Sequence, residues 1–184
     1  YPGAGVGGPC LPVNSYQMIN FAKTFGFDNF SIVEAGRKIN ESMPDHVIEL
    51  LKDAFDESHT DIKQSTILIL GVTYKPDVKD IQLTPAEPII SKLRQMGSNV
   101  KIYDPYFKNS TLFGITCESN LLESLKQSDA LIIVTAHKEF HDLEPVFLKS
   151  TMKSSVVIDS RCIINQFDAK NAGLIYRGVG RGNL

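Results

Sequence analysis

From residue 66 onward, short apolar runs alternate with amphipathic stretches. The runs have the length and content of buried parallel strands, and they occupy 66–72, 99–103, 130–135, 155–159 and 174–177. Apolar positions recur at helical spacing between them, at 85–96, 121–128 and 143–152. Strands that alternate with helices in this way predict an α/β fold with an open parallel sheet covered on both faces.

The first 56 residues carry helical periodicity without strand-like alternation. One helix is expected to run to about Phe25 from Asn14 or Ser15, either of which has a side chain suited to capping it. A longer helix is expected over 28–56, where apolar residues recur at helical spacing. Pro44 falls inside this pattern and should kink the helix or mark its boundary.

A polar segment at 57–65, which lacks periodicity, predicts a linker between two parts of the chain. The first part, 1–58, contains a glycine loop and the two helices, and the second part, 66–184, contains the sheet. Two helices and a loop bury too little apolar surface to form a core by themselves. We therefore expect the helices to pack on another domain or on a second subunit.

Composition and charge narrow the possible functions. The 184 residues are 42% hydrophobic and carry a net charge of −2, and the longest basic run is Arg37-Lys38. This pattern does not favour a nucleic-acid-binding surface, which neutralises phosphates with clustered cations. The sequence also lacks an apolar stretch of the roughly 18 residues that a membrane-spanning helix needs. Neither nucleic acid nor a membrane is expected as a partner.

The start of the sequence and its cysteines indicate the context in which the chain works. The sequence opens inside a glycine-rich motif without an initiating Met, so we expect it to be part of a longer protein. The cysteines Cys10, Cys117 and Cys162 are odd in number and widely spaced, which does not suit a disulfide framework. A reducing cytoplasm is the expected location.

Candidate chemistry begins with the motif Gly3-Ala-Gly5-Val-Gly-Gly8. Its spacing matches the dinucleotide fingerprint, but that fingerprint must follow a strand, and only two residues precede this one. A glycine loop that leads into Cys10 is the better interpretation, because missing side chains let backbone approach a ligand closely. Cys10 lies where the positive end of a helix stabilises a thiolate, which makes it the candidate nucleophile. The alternative is a flexible chain end beside a structural cysteine, the role expected of Cys117 and Cys162.

Ligands of open parallel sheets bind beyond the carboxyl ends of the strands. Lys75 follows the first strand and Arg161 follows the fourth, and each suits an anionic group such as a phosphate. Either residue has the alternative of being an ordinary solvated cation. His137 and His141 have a spacing that suits zinc on one helix face, but the local sequence leaves a strand and lacks the Glu of a zinc-protease motif. No metal site is expected.

Taken together, these residues resemble the UDP-glucose/GDP-mannose dehydrogenase family along nearly the whole chain. The glycine loop with Cys10 is similar to the family's active-site stretch, and Gly71–Ala86 is similar to the signature that opens its C-terminal domain. Further similarity covers the central helix, at Lys38–Val47, and the closing strands, at Asp159–Arg161 and Tyr176–Gly182.

The resemblance implies a protein built from three parts. An N-terminal Rossmann domain binds NAD, a helical centre forms a homodimer, and a Rossmann-like C-terminal domain binds the nucleotide of a UDP-sugar. The N-terminal domain is missing from this chain, together with the catalytic lysine of the family. The chain alone is therefore expected to be inactive.

The resemblance also implies the chemistry of an NAD-dependent UDP-sugar 6-dehydrogenase. A C6 alcohol is oxidised to a carboxylate in two hydride transfers, and the Cys10 thiolate captures the aldehyde as a thiohemiacetal that becomes a thioester. UDP-glucose, UDP-N-acetylhexosamine and GDP-mannose all stay open as substrates. The residues that the resemblance assigns to the sugar nucleotide are Gly5, Val6, Gly7, Gly8, Tyr74, Lys75 and, at the nucleotide end, Arg161.

Two positions depart from the family pattern. Asn14, which aligns with a catalytic acid, stands where most members have Asp, and a carboxamide can hydrogen-bond but cannot act as a base. Gln82 stands where most members have an Arg associated with the cofactor phosphates. These departures leave two alternatives to an active dehydrogenase: a degenerate member of the family, or a nucleotide-sugar-binding and dimerisation module without redox activity.

Overall fold

The structure, a computed structural model, describes residues 3–181, so Gly182 at the end of the closing motif lies outside the described residues. Within them, five parallel strands form one sheet in the order β2-β1-β5-β6-β7, and β3 and β4 form a separate hairpin. The strands are β1 Thr66–Leu70, β2 Asn99–Tyr103, β3 Thr111–Leu112, β4 Ile115–Thr116, β5 Ala130–Ile133, β6 Val156–Asp159 and β7 Ile175–Gly178. This sheet confirms the predicted α/β class.

Six α-helices accompany these strands in the described part of the chain. They are α1 Leu11–Thr24, α2 Ser31–Ser58, α3 Ala86–Gln95, α4 Leu121–Lys126, α5 Pro145–Thr151 and α6 Gln166–Asn171. Alternate residues of each central strand point to opposite faces of the sheet, and both faces are covered. On one face Ile67 and Ile69 pack in the core that includes α2 and α3. On the other face Leu68 and Leu70 pack with Leu125 and with α5 and α6.

The β3–β4 hairpin, a short 3-10 helix at Lys138–Phe140 and helix α6 were not predicted from the sequence. The hairpin of β3 and β4 turns through Phe113 and Gly114, which both have positive φ angles of 53° and 74°, as two-residue hairpin turns require. Its strands have two residues each, too few for alternation to be visible. The sequence signal for the short helix α6 is its N-cap residue, Asn165. The Asn165 side chain accepts hydrogen bonds from the amides of Phe167 and Asp168.

The N-cap of helix α1 is Cys10, four residues before Asn14, so the prediction of a cap at Asn14 or Ser15 was wrong. The first residue of the helix is Leu11, and Pro12 lies in the first turn, where the missing N–H of proline removes no helical hydrogen bond. The Ser15 hydroxyl instead donates to the carbonyl of Leu11 at 2.7 Å. Cys10 therefore stands immediately before the helix, as the candidate nucleophile requires.

Helix α2 runs through Pro44 without a boundary and continues to Ser58, the start of the polar segment that the sequence predicts as a linker. Its C-terminal half lies on the sheet, where Val47, Leu51 and Phe55 belong to the same buried cluster as the strands. The helical segment thus shares a core with the sheet. The division into 1–58 and 66–184 stays a prediction.

Leu51 gives a test of this shared core. Its side chain is fully buried between α2 and the sheet, so Leu51→Ala should lower the free energy of unfolding by about 2–5 kcal/mol through lost burial and the cavity left behind. The neighbouring Lys52 is exposed, and Lys52→Ala should change it by about 0.5 kcal/mol or less. Urea unfolding followed by circular dichroism measures both, and equal midpoints would contradict the shared core.

Candidate functional site

The glycine loop, residues 3–8, lies between α2 and the loop that follows β1. The side chain of Asn40 on α2 holds the backbone of Val6 from both sides: its Oδ1 accepts from the Val6 amide at 2.7 Å, and its Nδ2 donates to the Val6 carbonyl at 3.1 Å. The Gly8 amide donates to the carbonyl of Gln82 at 2.9 Å. The loop is therefore fixed by hydrogen bonds to two elements that are remote from it in sequence.

Two of the glycines are required because the loop packs closer than a side chain allows. A Cβ atom on Gly7 would collide with the carbonyl oxygen of Leu83, and a Cβ atom on Gly8 would lie 2.6 Å from the ring of Tyr74. Gly8 also has a φ of 87°, which glycine adopts without strain. These glycines serve a close backbone contact between the loop and the segment after β1.

Pro44 explains why the loop docks at this part of α2. Proline has no backbone N–H, so the Asn40 carbonyl, four residues earlier, has lost its usual helical donor. The backbone oxygen of Asn40 lies against Gly5, where an added Cβ would approach it to 3.3 Å. Sequence reasoning missed Asn40 as a site residue. A signal existed in its spacing of four residues from a proline inside a helix.

The docked loop and two sheet loops enclose a cavity of about 330 Å³. Cys10 lies at its edge with an exposed side chain. The cavity brings together the candidate nucleophile and all of the predicted substrate-binding residues, although these come from three separate parts of the sequence. Its lining consists of Gly5, Val6, Gly7, Gly8, Pro9, Cys10, Leu11, Tyr74, Lys75, Pro76 and Arg161.

Lys75 and Arg161 reach the cavity from the carboxyl ends of β1 and β6. The ion pairs within residues 3–181 involve other basic residues, so neither cation is neutralised by a described carboxylate. Gly3 packs against the guanidinium, since a Cβ there would lie 2.5 Å from Nη1 of Arg161. Two unpaired cations beside a cavity favour an anionic ligand such as a diphosphate.

The turn that carries Arg161 is built on the buried carboxylate of Asp159. Its oxygens accept hydrogen bonds from the amides of Arg161 at 2.9 Å and Ile164 at 2.8 Å, and from the hydroxyl of Tyr176 at 3.2 Å. Burial raises the pKa of Asp159, and these hydrogen bonds act in the opposite direction. Because its bonds fold the chain back sharply after β6, Asp159 sets where Arg161 leaves the sheet.

The three thiols differ in environment. Cys117 is buried with Sγ 3.8 Å from the carbonyl oxygen of Asp104, and burial raises its pKa to about 11. Cys162 is half-buried, and its thiol donates to the carbonyl of Val179 at 3.4 Å. Of the three, Cys10 alone is exposed. The surroundings of Cys117 and Cys162 fit the packing roles expected for them.

Asn14 and Gln82 are not among the residues that line the cavity. Asn14 lies one turn into α1, where its amide donates to the Cys10 carbonyl at 2.8 Å. The Gln82 side chain is exposed, and its backbone is engaged: the amide donates to Oδ1 of Asp80 at 2.9 Å, and the carbonyl accepts from Gly8. The catalytic role of Asn14 and the cofactor role of Gln82 stay predictions.

The turn after β1 does not fit a dinucleotide. Gly71 packs directly on the turn after β5, and an added Cβ would lie 2.6 Å from the carbonyl oxygen of Thr135. The turn also lacks the second and third glycines with which a dinucleotide fingerprint brings its backbone close to a pyrophosphate. The described residues therefore supply a ligand cavity without the glycine pattern of an NAD site at this turn.

His137 and His141 are separated by the structure. His137 is buried, with its ring nitrogens occupied by Asp104 and the amide of Asp77, whereas His141 is exposed. Residues 3–181 contain no group of three His, Cys, Asp or Glu side chains arranged to hold a metal ion. In the same range, no helix combines the length and the apolar character that crossing a membrane requires.

Proteins with sequences similar to this chain include sugar-nucleotide dehydrogenases. The chain is 31% identical to UDP-N-acetyl-D-mannosamine dehydrogenase of Pyrococcus horikoshii, covering 100% of this chain and 40% of that protein. It is 32% identical to UDP-glucose 6-dehydrogenase TuaD of Bacillus subtilis, covering 97% of this chain and 39% of the relative. The chain thus spans about 40% of the length of these relatives.

Solved structures give the same result. The structure of the Pyrococcus horikoshii enzyme matches 100% of this chain and 40% of its own length with a TM-score of 0.86. An NDP-N-acetyl-D-galactosaminuronic acid dehydrogenase of Methanosarcina mazei matches 98% of this chain and 39% of its own, with a TM-score of 0.89 at 29% identity.

A family model locates the resemblance within the chain. Residues 68–166 match the UDP binding domain of the UDP-glucose/GDP-mannose dehydrogenase family. This range begins in β1 and ends at the start of α6, so it contains the loops that carry Tyr74, Lys75 and Arg161. The match covers more than half of the chain, and the chain therefore belongs to the UDP-glucose/GDP-mannose dehydrogenase family.

Proposed function

We propose that this chain is the UDP-sugar-binding and thiol-bearing part of an NAD-dependent UDP-sugar 6-dehydrogenase. The observation that carries the proposal is one cavity that joins an exposed thiol, Cys10, to two unpaired cations, Lys75 and Arg161. A diphosphate bound to the cations leaves the sugar within the same cavity as the thiol. In this proposal, residues 1–58 supply the cysteine loop and the helices, and residues 66–184 bind the nucleotide.

In this proposal the anionic part of the substrate lies between Lys75 and Arg161. Lysine supplies a compact point charge, and arginine can donate two parallel hydrogen bonds to a phosphate. Tyr74 forms the wall beside Gly8. The glycine loop offers backbone amides to the sugar with few side chains in between.

Cys10 contributes covalent catalysis. Its thiolate adds to the C6 aldehyde to give a thiohemiacetal, whose oxidation gives a thioester, and water then releases the carboxylate and the free thiol. NAD accepts the two hydrides when it is bound by the rest of the protein. Holding the aldehyde on sulfur prevents its escape between the two oxidations. A free thiolate needs a reducing compartment, and we place the protein in the cytoplasm.

Asn14 supports one alternative. In the absence of a carboxylate at this position, Asn14 can orient a water molecule or the thiol by hydrogen bonding but cannot accept a proton. Likewise, Gln82 can contact the cofactor phosphates only through neutral hydrogen bonds. A nucleotide-sugar-binding module without redox chemistry would keep the cation site and dispense with Cys10. The two functions therefore differ in whether Cys10 is needed.

We also propose that the helical segment forms a homodimer. Large apolar side chains are exposed along α1, the connection between α1 and α2, and the first half of α2, which is more apolar surface than scattered exposed residues account for. A second copy of the same helices would cover this surface. The exposed side chains are Leu11, Met18, Phe21, Phe25, Phe27, Ile32 and Ile39.

Binding of UDP tests the cation site. Because each cation supplies a charge-assisted hydrogen bond of about 1.5–3 kcal/mol, Lys75→Ala should weaken UDP binding about tenfold or more. Lys126→Ala, an exposed lysine on α4, serves as the control and should leave affinity unchanged. Isothermal titration calorimetry measures all three proteins. Equal affinities for wild type and Lys75→Ala would remove Lys75 from the site.

Cys10→Ser tests the chemistry in the full-length protein. Serine is the weaker nucleophile, so carboxylate production should fall by several orders of magnitude, whereas the first hydride transfer can still occur in a single turnover. Cys162→Ser, which changes a cysteine outside the cavity lining, should retain activity. Mass spectrometry of the sugar nucleotide measures the product. Near-normal turnover by Cys10→Ser would favour the binding module over the enzyme.

Sedimentation velocity tests the dimer. Wild-type chain should sediment at twice its mass of 20.4 kDa. Ile32→Glu should dissociate the dimer, because Ile32 is 87% exposed in the single chain and burying a charge there is costly. Val146→Glu is the control: it introduces the same charge at an exposed apolar residue on α5, where Val146 is 70% exposed. This variant should remain dimeric. A monomeric wild type at high concentration would contradict the proposal.

A further inference from the structure

Buried polar side chains fill the crevice between the carboxyl ends of β1 and β5. This crevice is the topological switch point of the sheet, because the chain leaves β1 toward β2 on one side and returns to β5 on the other. Asp104 and Thr73 are 0% exposed and His137 is 1% exposed. None of the three lines the cavity that holds Cys10. A position that usually admits ligands is occupied here by the protein itself.

The hydrogen bonds define the protonation of His137. Its Nδ1 lies 3.0 Å from the amide nitrogen of Asp77, and because an amide only donates, Nδ1 must be the accepting, unprotonated nitrogen. The proton is then on Nε2, which lies 3.0 Å from Oδ2 of Asp104 and 3.1 Å from Oγ1 of Thr73. His137 is thus a neutral ring that donates to a buried carboxylate at one end and accepts from the backbone at the other.

Every partner of this pair on the β1 side belongs to one short loop, residues 71–77. Oδ2 of Asp104 also accepts from the Val72 amide at 2.8 Å. The Thr73 hydroxyl donates to the carbonyl of Lys75 at 3.0 Å. The pair therefore holds the loop at three points on either side of Tyr74 and Lys75: Asp104 binds the Val72 amide, and His137 contacts the Thr73 hydroxyl and the Asp77 amide.

The loop contains a strained residue and has further hydrogen bonds besides those to the pair: the Thr135 hydroxyl donates to the Thr73 carbonyl, and the Lys138 amide donates to Oδ1 of Asp77 at 3.1 Å. Asp77 has a φ of 58°, a left-handed conformation that costs free energy for a residue other than glycine. The Lys75 side chain is exposed and takes no part in the network. Its position over the cavity is therefore set by its backbone, which the network anchors, and not by side-chain packing of its own.

We propose that the Asp104–His137 pair is a positioning device that fixes the 71–77 loop so that Lys75 reaches the anionic ligand. His137 acts through the loop and does not touch the ligand. The inference rests on the proposed UDP site, but one of its measurements, the mobility of the loop, does not depend on any ligand. A failure of the positioning role and a failure of the UDP site can therefore be distinguished.

Two conservative variants each preserve one of the two hydrogen bonds that the His137 ring makes with Asp104 and with the Asp77 amide. The amide of Gln in His137→Gln can replace the Nε2 donor to Asp104, and the oxygen of Asn in His137→Asn can replace the Nδ1 acceptor for Asp77. His137→Ala loses both and takes one hydrogen-bond donor away from the buried Asp104 carboxylate, which makes it the variant most exposed to misfolding. His137→Gln keeps the test available, because it leaves the buried carboxylate with its donor.

The first measurement is amide hydrogen exchange read by mass spectrometry on the chain without ligand. His137→Ala should exchange the 72–77 segment about tenfold faster or more, because lost anchors permit local opening, while β5 keeps its protection. His137→Gln and His137→Asn, which each keep one of the two bonds, should fall between His137→Ala and wild type. Unchanged exchange in 72–77 for His137→Ala would overturn the proposal whether or not UDP binds.

The second measurement is a double-mutant cycle on UDP affinity. His137→Ala should weaken UDP binding about tenfold in the wild-type background and hardly at all in the Lys75→Ala background, since its effect passes through Lys75. A merely structural role would give equal losses in both backgrounds, which would overturn the proposal while leaving the UDP site intact. A wild-type chain that does not bind UDP would overturn the UDP site and, with it, any role of the Asp104–His137 pair in binding.

Discussion

The two hydrogen bonds between the Asn40 side chain and the backbone of Val6 are the contact on which the site depends. They hold a segment with little side-chain surface of its own against a helix that is itself anchored in the core of the sheet. The Gly8–Gln82 bond and the Ala4 side chain, which is buried in the same core, add to this hold. Cys10 comes directly after this loop. By fixing the loop, Asn40 therefore helps to hold Cys10 beside Lys75 and Arg161.

Buried carboxylates play the corresponding part on the sheet. Asp104 at the end of β2 and Asp159 at the end of β6 are both fully buried, and each accepts backbone amides from a loop that carries a cation to the cavity. Burying a charge is costly unless it is well hydrogen-bonded. These carboxylates satisfy that condition locally and leave Lys75 and Arg161 without acidic partners, which is the electrostatic state that an anionic ligand requires.

Membership of the dehydrogenase family and the architecture of the site point in the same direction. The matched UDP binding domain contains both cation-bearing loops, and the relatives named here act on nucleotide sugars. The glycine motif that imitates a dinucleotide fingerprint is instead a docking segment, because its missing side chains are used against Tyr74 and Leu83. In the function proposed above, the chain contributes a thiol and an anion site to the oxidation.

The sequence by itself determined the family and most of the elements of the sheet. Parallel strands and amphipathic helices appear as local periodicity, so β2 was predicted with its observed bounds. Cys10, Lys75 and Arg161 were predicted as site residues from short motifs and from the resemblance to the family. The tertiary structure alone decided the start of α1, the uninterrupted path of α2 through Pro44, and the partners of Asn40 and His137. The partners of Asn40 and His137 are Val6 and Asp104, which lie 34 and 33 residues away along the chain. A hydrogen bond between positions so distant leaves no periodic trace in the sequence, because only the folded sheet brings the two side chains together.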